Sequence, residues 1–145
     1  MDESYTIEVQ NWDLTYSFGL NNIPKFIPGS FIESLDLKIM GMILQPKKYE
    51  AKEIKVTFVG DRSLISKITE EENFETKPNG IGSITLRGEQ REFLGFLPID
   101  VLPTVDSMLE SKRIRFLTLY GSALTRGHAY IKYLHFLKSY EPEEE

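Results

Sequence analysis

Along most of this chain the apolar side chains recur at every second residue, and that period belongs to a β-strand with one buried face. Tyr5, Ile7 and Val9 share one parity, and beyond Asn11 the parity changes, so that Trp12, Leu14, Tyr16 and Phe18 alternate with Asp13, Thr15 and Ser17. The segment is expected to form one long strand broken near Asn11, or two strands. Leu35, Leu37 and Ile39 repeat the alternation and lead into the apolar run that ends at Leu44, within which Gly41 marks a bulge. Ile54, Val56 and Phe58 form a further inward set, closed by the turn residues Gly60 and Asp61.

Between these runs the chain is punctuated. Two prolines, Gly29 and the pair Asn21-Asn22 make residues 21–29 a loop, anchored by Ile23, Phe26 and Ile27. The stretch 62–79 is weaker in pattern and fits either a strand or a short helical turn before Lys77-Pro78-Asn79-Gly80. Ile84 and Leu86, a turn at Arg87–Gln90, and Phe93–Pro98 read as a hairpin.

Only one segment has helical spacing: Val101, Leu102, Val105, Met108 and Leu109 fall on one face of a helix from about Asp100 to Ser111. Asp100 is expected to cap it, Pro103 to occupy its first turn, and Lys112-Arg113 to follow its C-terminal end, where cations are favoured. The last two strands, about 114–120 and 123–137, flank Gly121-Ser122, which suits a two-residue turn. The chain is therefore expected to be mainly β: an antiparallel β-sandwich or barrel of about eight strands, with one short amphipathic helix near residues 100–111 plugging one end. Residues 1–138 are expected to form a single β domain and residues 139–145 an acidic flexible tail.

Composition narrows the chemistry. At 145 residues with 41% hydrophobic and 12% aromatic content, the chain can bury one core. It contains no cysteine, which removes disulfides, thiolate metal sites and cysteine nucleophiles. Residues 87–138 carry 8 basic and 5 acidic side chains, far too small an excess for a nucleic-acid surface. No apolar stretch approaches the roughly 20 residues of a membrane-spanning helix. Without an export signal, a sequon or a cysteine, the expected location is cytoplasmic.

Neither a nucleophile motif nor a metal-ligand spacing is present, so no catalytic residue, cofactor or metal is implied. The two histidines, His128 and His135, stand seven residues apart and point to opposite faces of a regular strand. If Gly121-Ser122 is the turn, Arg115 faces His128 and Arg113 faces Tyr130, so that Arg113, Arg115, His128, Tyr130 and Lys132 line one face of the hairpin. Such a face offers hydrogen-bond donors for a carboxylate, a phosphate or an acidic partner segment, although solvated surface charge is the commoner outcome. The doubly apolar stretch with Phe93, Leu94, Phe96 and Leu97 needs covering on both sides, by the core or by a partner.

The function indicated is a non-enzymatic protein-interaction or assembly module, associating with itself or with a peptide or protein partner, without nucleic acid or membrane. The competing expectation is a β-barrel that binds or hydrolyses a small anionic molecule. A carbohydrate surface would need a row of exposed aromatics, for which Trp12, Tyr16, Tyr49 and Tyr130 are the candidates.

Overall fold

The computed structural model describes residues 2–20, 31–62 and 80–141. Within them seven strands and one helix follow in order: β1 (Asp2–Leu20), β2 (Phe31–Gln45), β3 (Glu53–Asp61), β4 (Gly82–Arg87), β5 (Gln90–Pro98), α1 (Leu102–Glu110), β6 (Phe116–Ser122) and β7 (His128–Leu137). The strands close into a barrel in the order β1-β2-β3-β5-β4-β7-β6. Among the described residues no helix is long and apolar enough to cross a membrane.

The change of parity at Asn11 has a direct structural counterpart. β1 is one continuous strand whose register against β2 shifts between Val9 and Asn11, leaving Gln10 as an extra residue. A one-residue bulge returns side chains of changed parity to the same face. Ile7 and Val9 before it and Trp12 and Leu14 after it therefore all point toward the interior, opposite Ile43, Gly41, Ile39 and Leu37. Gly41 lies across from the bulge, where an added Cβ would run into the Ile7 side chain and the Glu8 carbonyl. The close approach of two backbones is what requires glycine there.

One neighbour relation departs from the all-antiparallel expectation: β3 and β5 pair in parallel, from Lys55↔Glu92 to Asp61↔Pro98. Twenty residues, 62–81, separate β3 from β4, more than the dozen or so that a parallel neighbour needs, and β5 lies between β3 and β4. Alternation reports which side chains face inward and carries no information on strand direction.

The interior is filled from every strand, with Phe58 fully buried and in edge contact with Phe93 at 5.5 Å and Phe136 at 5.7 Å. α1 covers the end of the barrel where β3 and β5 finish, burying Leu102, Val105 and Leu109. Asp100 does not cap it; that residue lies in a preceding 3-10 turn, Ile99–Val101, and no side chain caps the helix. Pro103 stands in the first turn, where a missing N–H breaks no helical bond. Lys112, just past the helix, has φ of 61°, a conformation in which glycine is the usual residue.

The β6–β7 hairpin turns later than expected. Its register runs from Phe116↔Leu137 to Gly121↔Ile131, and its tight turn is Arg126-Gly127, with φ of 55° and 83° inside the Thr125↔His128 bridge. Two successive positive φ values define a turn whose twist matches that of the strands. Gly121 serves packing instead, since a Cβ there would collide with the Tyr130 carbonyl of β7.

Candidate functional site

That register separates the five residues expected on one face. Arg113 lies between α1 and β6, with its N–H donating to the Met108 carbonyl. Arg115 immediately precedes β6; its N–H donates to Leu137 and its carbonyl accepts from Val9. His128 opens β7 at the other end, nine residues from Leu137 and so about 30 Å from Arg115 along the strand. Its Nδ1 is 3.0 Å from Thr85 Oγ1 on β4. Tyr130 faces Ser83 and is exposed, and Lys132 stands 3.7 Å from Asp2 where the β6–β7 register shifts. The shared face assumed a turn at Gly121-Ser122, and moving the turn by five residues removes it.

Of the apolar stretch, Phe93 belongs to the core and Leu97 is half-buried, whereas Leu94 and Phe96 are exposed on the outer wall beside Thr57 and Val59. The aromatic candidates do not form a row. Tyr49 donates its hydroxyl to the Leu86 carbonyl, Trp12 is half-buried, and Tyr16 and Tyr130 lie on different strands. Among the described residues no group of three or more His, Asp or Glu side chains could hold a metal ion.

The surface that does stand out lies on β1 and β2. β1 pairs with β6 only from Asp2 to Glu8, and β3 pairs with β2 only from Asp36 to Met42. From Tyr16↔Leu35 to Leu20↔Phe31 the two strands therefore run on without β6 or β3 beside them, among the described residues a two-stranded ribbon of about 16 Å. The inward face of the barrel continues along it without a break. Leu37 and Leu35 are in the core and Leu14 is packed against it, and the same face then presents Tyr16, Phe18, Leu20 and Phe31. Those four are 56%, 63%, 51% and 70% exposed. Phe18 and Phe31 stack at 5.4 Å with an interplanar angle of 14°.

The carboxylate on this face is neutralised within the chain. Glu33 faces Phe18 across the ribbon, accepts a hydrogen bond from the Tyr16 hydroxyl at 2.6 Å and pairs with Arg62 at 2.5 Å. The Arg62 guanidinium, followed by the Tyr16 hydroxyl, holds the Glu33 carboxyl down at about 2. The same hydrogen bond raises Tyr16 above the usual tyrosine value. An apolar face with its one carboxylate already paired can lose water without stranding a charge.

The sequence carried a signal for this ribbon in the alternation that persists to Phe18 and resumes near Phe31; the exposure depends on where β6 and β3 stop. No family model, curated protein or solved structure matches this chain. The class of molecule is therefore defined by geometry: among the described residues, a helix-plugged seven-strand β-barrel from which a two-stranded ribbon with an exposed apolar face extends.

Proposed function

We propose that this chain is an assembly module that associates with a second copy of itself through the β1–β2 ribbon. The observation that carries this reading is the apolar face of the β1–β2 ribbon, which leaves the core and stays exposed over Tyr16, Phe18, Leu20 and Phe31. At roughly 150–250 Å² per large side chain, the exposed fractions amount to about 450 Å² per chain. Two copies bury about 900 Å² in side chains alone, near the ~1,000 Å² at which interfaces become biological. A contiguous apolar surface of this size matches the largest patch of a typical monomer, which is often functional.

A second copy fits better than a charged partner. The face offers aromatic and aliphatic surface with Glu33 and Arg62 cancelling each other, so it has no uncompensated charge for an oppositely charged partner to read. Both ribbon strands also present unpaired backbone edges among the described residues, available to a two-fold arrangement. Light scattering over a concentration series tests the proposal: the wild-type mass should rise to a dimer or higher multiple. Phe18→Ser combined with Phe31→Ser should return it to the monomer. A wild-type monomer at every concentration overturns self-association.

A further inference from the structure

Beside the base of the ribbon lies a cavity of about 530 Å³ lined by Val9, Trp12, Leu109, Lys112, Ile114, Arg115 and Lys138. Its walls come from separate elements: the β1 edge, the end of α1, the segment entering β6, and the residue just after β7. Arg115 is held in place by its backbone, which bonds Leu137 on one side and Val9 on the other. Val9 is also where β6 ceases to cover β1, so the cavity opens along an uncovered strand edge.

The lining divides into two chemistries. Val9, Leu109 and Ile114, with the half-buried Trp12, are its apolar residues, and the exposed Lys112, Arg115 and Lys138 are its charged ones. None of the three has an ion-pair partner among the described residues. Proximity to the helix terminus accounts for Lys112 and for the neighbouring Arg113. It does not account for Arg115 and Lys138, which arrive from other elements at the same cavity. Lys112 moreover keeps a positive φ that a lysine adopts at a cost and a glycine does not.

We propose that this cavity binds a small organic anion: one carboxylate or phosphate group on an apolar alkyl or aryl body. Every polar side-chain group in the lining is a donor, the indole N–H and the three cations, and none is an acceptor. A ligand rich in hydroxyls or amides would leave its own donors unsatisfied against this lining, whereas an acid group on an apolar body brings only acceptors and surface to bury. The Arg115 fork can donate two hydrogen bonds to such a group, and the lysines add point charge. The volume falls in the range of small-molecule sites. The residues are distinct from the exposed ribbon face, so the site stands or falls separately from self-association.

Trp12 is the only tryptophan in the chain, so the fluorescence signal comes from a residue that lines this cavity. Titration with decanoate and with decyl phosphate, both kept below their micellar range, should give a saturable change with one site per chain, weakened by added salt. The better of the two identifies the acid group, and 1-decanol, with the same body and no charge, should bind at least about tenfold more weakly. Arg115→Gln should weaken the preferred anion about tenfold. Lys112→Gly should weaken it too while holding or raising the melting temperature, because glycine suits the positive φ. The Phe18→Ser, Phe31→Ser double variant should bind as wild type does. The proposal is overturned if neither anion gives a saturable change, if 1-decanol binds as well, or if both cavity variants keep wild-type affinity.

Discussion

Phe58 and Phe18 occupy equivalent positions in their strands, each an aromatic residue on the inward face of an alternating run. One is completely enclosed and the other is almost two-thirds exposed. The difference lies in the neighbours. At Phe58 β3 is flanked by β2 and β5 within the barrel, whereas among the described residues the outer half of β1 has only β2 beside it. Alternation thus specifies a side chain's direction, and burial depends on how far the adjacent strands extend. A two-stranded ribbon is marginal alone.

The largest expected effect separates the two regions by stability. Phe58→Ala removes a ring enclosed by Phe93 and Phe136 and should cost about 3–5 kcal/mol in denaturant unfolding, whereas Phe18→Ala should change monomer stability by no more than about 0.5 kcal/mol. Comparable losses at both sites would show that the ribbon is already covered in the folded chain. At the junction of the two regions, Gly41→Ala should destabilise by about 1–3 kcal/mol, since the added methyl meets the Glu8 backbone, which cannot yield without moving the bulge. A neutral result there would mean that β1 shifts freely relative to β2. For association the ranking reverses: the Phe18→Ser, Phe31→Ser pair should abolish the mass increase seen by light scattering, with little change in melting temperature.

The smallest effect concerns Glu33. Its carboxyl is held at about 2 in the folded chain, below its ordinary value near 4.5, so its contribution favours folding at pH values above 4.5 and is lost as pH falls through about 2. The Tm difference between wild type and Glu33→Gln should accordingly be present near neutrality and shrink across that acid window. A difference independent of pH would mean that Arg62 and Tyr16 do not favour the ionised form.

Much of the barrel was legible residue by residue. The inward sets Ile54, Val56, Phe58 and Leu35, Leu37, Ile39 are buried as their alternation required, and Leu102, Val105 and Leu109 form the buried face of α1. The final hairpin was misread because glycine has two uses. Gly121 admits the Tyr130 carbonyl, while the turn uses Gly127 with Arg126, a residue whose positive φ leaves little trace in sequence. With the turn displaced, the common face of Arg113, Arg115, His128, Tyr130 and Lys132 does not form. Arg115 instead meets Lys112 and Lys138, which lie 3 and 23 positions away from it in the chain.

By itself the sequence determined the inward sets of β1, β2 and β3, an interruption of the alternation near Asn11, and the amphipathic helix, because all three follow from spacing between near neighbours. The tertiary structure alone decided that β5 lies parallel to β3, that the apolar face of β1 runs past β6, and that Lys138 joins Lys112 and Arg115 in the lining of one cavity. Those features depend on which strands lie side by side and where each one stops, and long-range pairing settles that after local pattern has oriented every side chain.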